Sequence, residues 1–172
     1  MAVSITQTAN PNGVSASGNV ASYSDVSIGD AHPDRIVVVL VGTELASSTP
    51  SACTIDGNNM TAGTAGASSP MYARAFYLAW PTGTTATIAV TFSSTNPTNN
   101  QNKIAVYNIS DGAYSSTGGT QGTDYRDTPL STGATTIASD GGMIAVTAGE
   151  DAGSNSWSGL TVDINSDVGT FH

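Results

Sequence analysis

The side chains able to do acid–base, nucleophilic or metal chemistry are few and scattered in this sequence. Histidine occurs only at His32 and His172, cysteine only at Cys53, and glutamate only at Glu44 and Glu150. Asp30-Ala-His32-Pro-Asp34 sets three donors at every second position, a spacing a metal could use. The stronger reading of the same residues is a solvated turn in which Asp side chains cap backbone amides. A Ser-His-Asp hydrolase would have His32 as its one plausible base, and no Gly-x-Ser-x-Gly elbow accompanies it. Glu44 and Glu150 flank the ends of expected strands and could converge as a glycosidase-type pair, although surface acids are far commoner than catalytic pairs. Asp163-x-Asn165-x-Asp167 opens like a calcium loop, but Val168 stands where the sharp turn needs glycine. Its alternation with Val162 and Ile164 explains the three polar residues as a solvent face. Cys53, between Ala52 and Thr54, reads as a small buried side chain, with no basic neighbour in sequence to lower its pKa. The reading is therefore of a chain that is not an enzyme and that uses no cofactor and no metal.

Composition narrows the partners. A formal net charge of −9 arises from 13 acidic against 4 basic residues. Lys103, Arg35, Arg74 and Arg126 are too dispersed to form the cationic stripe that phosphate binding needs, which argues against nucleic acid. The single cysteine excludes an intramolecular disulfide scaffold. The first residues, Met-Ala-Val-Ser-Ile-Thr-Gln-Thr, lack the positive and apolar regions of a secretory signal, so the expectation is synthesis in a cytoplasm without Sec export.

The elements that would position any site are strands. With 19 Gly, 38% hydrophobic and only 10% charged residues, the chain favours strands and turns over helices. Its centre is Asp34-Arg35-Ile-Val-Val-Val-Leu-Val-Gly42, an apolar β-branched run too short for a membrane span and expected to be buried on both faces. Val3 and Ile5 alternate in a first short strand ended by Asn10-Pro-Asn-Gly13. Asn19 to Ile28 forms a second, with Val20, Val26 and Ile28 in phase. Asp56-Gly57 between β-prone runs predicts a tight hairpin. Thr61 to Pro70, with nothing large to bury, predicts an exposed loop. Met71 to Trp80 alternates small residues (Ala73, Ala75, Ala79) with large ones (Tyr72, Phe76, Leu78, Trp80), so it reads as a strand with a large-residue core face. Ile88, Val90 and Phe92 alternate with Thr87 and Thr91 in the clearest period-two pattern. Further strands are expected at Lys103 to Ile109, around Leu130 and Ile137, at Met143 to Ala148 as an interior strand, and at Trp157 to Ile164. About nine or ten short strands without a helix imply one all-β domain, a two-sheet β-sandwich of jelly-roll or Ig-like type. Residues 1–18 are its N-terminal arm and first strand, and residues 19–172 the sandwich.

Ser110 to Pro129 is the longest expected loop, and loops of about twenty residues in a compact domain are usually functional or disordered. Tyr114, Tyr125, Arg126 and Asp127 within it are the candidate interface residues. Tyrosines so placed could anchor a protein interface or stack on a sugar ring; Trp80 and Trp157, in phase with apolar neighbours, read as core.

Taken together, Asp34-Arg35-Ile-Val-Val-Val39, Thr54-Ile-Asp-Gly57 with Met60-Thr61, the run from Ala79-Trp80-Pro-Thr-Gly to Val90-Thr-Phe-Ser93, and Gly141-Gly-Met-Ile-Ala-Val146 resemble small all-β virion proteins of tailed bacteriophages. These are the head decoration, or cement, proteins and the related sandwich modules of tail fibres. The resemblance spans roughly Asp30 to Ile164 and transfers no active-site residue. It implies a homotrimer that binds the major capsid protein on the outer surface of the head and stabilises the shell, made in the host cytoplasm and carried on the virion, with no membrane partner. The alternative it leaves is a carbohydrate-binding sandwich module of a tail fibre or spike.

Overall fold

The computed structural model describes residues 3–11, 17–44, 48–68, 71–94, 102–111, 141–144 and 146. The described residues form nine strands and no helix: β1 (Ser4–Ala9), β2 (Val20–Ser27), β3 (Ile36–Glu44), β4 (Pro50–Ile55), β5 (Asn58–Asn59), β6 (Thr61–Ser68), β7 (Met71–Ala79), β8 (Thr85–Phe92) and β9 (Asn102–Ser110). One sheet has the order β1-β9-β3-β7-β6 and the other β2-β8-β4-β5, with every pairing antiparallel. Among the described strands the pairs nest inward, β1 with β9, β2 with β8, β3 with β7 and β4 with β5, and β6 is added at the edge beyond β7. That nesting is a folded-over hairpin, which makes the sandwich a jelly roll and not an Ig domain, whose ABED and CFG sheets pair differently.

The central apolar run becomes β3, the middle strand of the five-stranded sheet. Val37, Val39 and Val41 point between the sheets and meet Phe76, Ile88, Val90, Phe92, Ile104 and Val106 in the main core. Val38 and Leu40, the alternate residues, sit in a second cluster with Tyr107 and Ile109 on the sheet's other face. Ile144 and Val146 pack onto that cluster, and a Cβ at Gly142 would collide with Ile5. The segment therefore lies as a strap over the outer face, and glycine at 142 allows the close approach to β1. Met143, Ile144 and Val146 are not part of a strand, in contrast to the interior strand their apolar run suggests.

Two local expectations change. Residues 61–68 are β6 and not a loop, because backbone pairing with β7 supplies what burial cannot: Gly63 comes so close to β7 that a Cβ there would lie 3.2 Å from the Ala75 carbonyl oxygen. In β2 the inward residues are Ala21 and Tyr23, then Val26, with Ile28 just past the strand in the same phase, while Val20 is only half-buried. One extra residue between Tyr23 and Val26 opposes β8, with Asp25 at φ 54°, and the bulge reverses the phase. The Asp56-Gly57 hairpin forms as its sequence predicts, both residues having positive φ (45° and 79°). The Asp56 carboxylate accepts the Thr87 N–H at 2.7 Å, fixing the turn to β8.

Candidate functional site

The polar chemistry of the described residues concentrates at the end of the sandwich where β2, β7 and β9 stop and β3 begins. Arg35, the residue before β3, has 0% of its surface exposed. Its guanidinium carries five donors in a fixed fork, and each of its three nitrogens donates to backbone carbonyls. Nε donates to Trp80 O at 2.6 Å, and Nη1 to Gly29 O at 2.8 Å and Asp30 O at 2.9 Å, with Ile28 O further off at 3.5 Å. Nη2 donates to Thr82 O. The main chain of Arg35 adds a bond from its N–H to His32 O and accepts one from Trp80 N–H, both at 3.0 Å. One side chain thus locks the loop after β2, in one sheet, to the loop after β7, in the other. Burial pushes the Arg35 pKa down and the nearby Asp30 opposes that shift; with carbonyls on every side the cation remains the bound form.

Above this fork sits the Asp30-His32-Asp34 turn. His32 Nδ1 accepts the Asp34 N–H at 3.2 Å, and Nε2 faces Asp111 Oδ1 at 4.0 Å. The Asp30 carbonyl serves Arg35 and, at 3.4 Å, Asn108 Nδ2. The turn is capped by the histidine ring, where the sequence suggested aspartate side chains. Among the described residues no three His, Cys, Asp or Glu side chains converge as a metal site. Asp111, at φ 60°, is where the chain leaves β9, so the segment holding the candidate interface residues departs beside the braced loops. Tyr114, Tyr125, Arg126 and Asp127 themselves lie outside the described residues, as do Glu150, Trp157, the Asp163–Asp167 stretch, His172 and the strands expected around Leu130 and Ile137 and at Trp157 to Ile164.

Two further links join the sheets. Arg74 of β7 donates Nε to Gly63 O at 2.9 Å and Nη1 to Pro50 O of β4 at 3.0 Å, with its guanidinium 5.5 Å from the Phe76 ring centroid. Tyr23 of β2 donates its hydroxyl to Asn102 Oδ1 of β9 inside the core. Cys53 is buried among apolar side chains; burial pushes its pKa up to about 12, a hydrogen bond with the Thr54 backbone opposing only in part. A thiol so placed stays protonated and inert. Tyr23 is likewise pushed up, by burial first and by Cys53 second.

Arg35 and Arg74 are what sequence reasoning passed over as sites. Each is an arginine in or at the head of a strand, a position that requires satisfied donors if the residue is inward. That signal marks burial but not the partners. Comparison with protein-family models, with curated proteins and with solved structures finds no match for this chain.

Proposed function

We propose that this chain is a virion structural protein, a decoration protein that binds the outer surface of a tailed-phage head as a homotrimer, bridges major capsid subunits and is made in the host cytoplasm. The observation that carries the reading is the Arg35 brace. Loops 28–34 and 80–84 are held by one buried cation, so an encounter with a fixed, repetitive lattice would cost little ordering entropy. The polar groups at this end are engaged with one another, which suits a docking body better than a reaction centre. A ligand that binds only the assembled shell stabilises it by RT ln(1 + [L]/Kd), about 2.7 kcal/mol at a hundredfold excess over Kd.

Co-sedimentation tests the proposal. The purified protein should pellet with expanded, undecorated heads at a fixed stoichiometry, raise the temperature at which they release DNA, and ignore unassembled capsid protein. Absence of binding to any assembled head, together with retention on a polysaccharide column, would overturn it in favour of a glycan-binding module.

A further inference from the structure

The register of the five-stranded sheet lines its outer face with uncharged rows. Ile5, Ile109, Ile36 and Ala79 stand side by side across β1, β9, β3 and β7. The next row is Gln7, Tyr107, Val38, Tyr77 and Thr61, and the next Ala105, Leu40 and Ala75. No carboxylate occurs in these three rows, in a chain of formal charge −9. The strap leaves the face incompletely covered: Ile36, Ala75, Tyr77 and Ala105 stay half-buried and Ala79 exposed. Met143 on the strap, 38% exposed, is the large apolar side chain most open to solvent among the described residues.

We propose that this outer face, with residues 141–144 laid over it, is where copies of the chain pack on one another; the inference rests on the homo-oligomer of the preceding section and names its surface. Two observations commit it to a second copy. The sheet's edges are unsuited to joining: β1 and β6 each carry a bulge, at Gln7/Ala9 and Ala62/Ala65, and bulges twist an edge away from strand addition. In the other sheet β2 is bulged at Tyr23/Val26 and β5 is two residues long. Next, copies of an acidic protein repel except across an uncharged surface, and these rows provide one.

Size-exclusion chromatography with light scattering on the full chain tests this with three variants at solvent-exposed positions, so that each keeps its fold: Ala79→Glu and Met143→Glu on the proposed face, and Ser22→Glu on the outer face of the other sheet. The expected result is a wild-type oligomer, at least tenfold weaker association in A79E and M143E, and none of that loss in S22E. Because the contact is apolar between acidic bodies, association should also tighten when ionic strength rises from ~0.05 to ~0.5 M. Oligomers retained in A79E and M143E, or equal loss in S22E, would overturn the assignment of the face while leaving the oligomer standing. A monomeric wild type would overturn both.

Discussion

Replacing Arg35 by methionine separates what this side chain does from what its volume does. Methionine fills most of the space left by the aliphatic stem but donates nothing, so the carbonyls of residues 28, 29, 30, 80 and 82 lose their common donor. Ile28 is fully buried and Trp80 half-buried; a buried acceptor left unpaired costs ~1–3 kcal/mol. The carbonyls at Gly29, Asp30 and Thr82, near exposed loops, can recruit water and cost nearer ~1 kcal/mol each. Relief of the guanidinium's own desolvation returns several kcal/mol. The balance is a loss of about 3–4 kcal/mol, within the range for breaking a buried charged network. With a urea m-value of ~2 kcal/mol/M, the unfolding midpoint should fall by roughly 1.5–2 M. Arg35→Lys keeps the charge but places three donors on one nitrogen, which cannot reach both loops, so about half of that loss should remain. A midpoint shift under ~0.5 M in R35M, or wild-type stability in R35K, would refute the account of Arg35 as the brace between the sheets.

The glycines and the thiol offer sharper contrasts. Gly29 has φ +77°, and a Cβ there would lie 2.6 Å from Asn108 Nδ2 and 2.9 Å from Thr8 Cγ2, whereas Gly57, at φ +79°, has open space around it. Gly57→Ala should therefore cost ~1 kcal/mol of backbone strain alone and Gly29→Ala about 2–4 kcal/mol by urea unfolding; equal losses would refute the packing argument. Cys53, with its pKa raised from 9.0 to about 12, stays neutral in the fold while the unfolded chain ionises. Stability from this group is intact below pH 9 and lost as pH rises toward 12, by ~1.4 kcal/mol per unit. Cys53→Ala should flatten the alkaline limb of the stability curve, and in the native protein the thiol should react with iodoacetamide only at the unfolding rate. Alkylation at the rate of a free thiol would show that Cys53 is not enclosed.

What the sequence discloses of this fold follows from which interactions are local. β3 and β8 are legible because burial writes itself into residue type: a continuous β-branched run for a strand covered on both faces, strict alternation for one covered on a single face. The hairpin at Asp56-Gly57 is legible because positive φ at both positions is a property of those two residues. The β6 edge strand was not, since Thr, Ala and Gly gain their order from the backbone of β7 and from Gly63 lying against Ala75, neither of which leaves a hydrophobic period. The bulge at Asp25 escaped for a related reason: a fixed period of two assigns Val20 to the face of Val26 and Ile28, and one inserted residue undoes it. Arg35 looked like punctuation before an apolar run. Its role depends on carbonyls up to 47 residues away, and a backbone carbonyl has no sequence signature. The candidate residues Tyr114, Tyr125, Arg126 and Asp127 had the opposite character, being chosen for residue type in a long loop, and only the stem at Ser110 and Asp111 lies among the described residues.

The use made of the cations ties the interior to the surface. Of the four basic residues, Arg35 and Arg74 donate to backbone carbonyls. An arginine held this way stabilises the junction of the two sheets, and the chain as a whole keeps a formal charge of −9. Self-repulsion of that kind disfavours contact through acidic loops and edges and leaves the three uncharged rows of the outer sheet face as the place where two such bodies approach at least cost. The same arginines make the approach productive. Bonds at Trp80, Thr82 and Gly63 within the sheet, and at Pro50 across to the other, hold β7, which carries Ala75, Tyr77 and Ala79 of the face, against both loop and neighbouring strand. A face whose strands are fixed from behind loses little entropy when it is covered. Rigidity of the sandwich and placement of the contact surface are, on this reading, two consequences of one choice: to bury arginine on carbonyls.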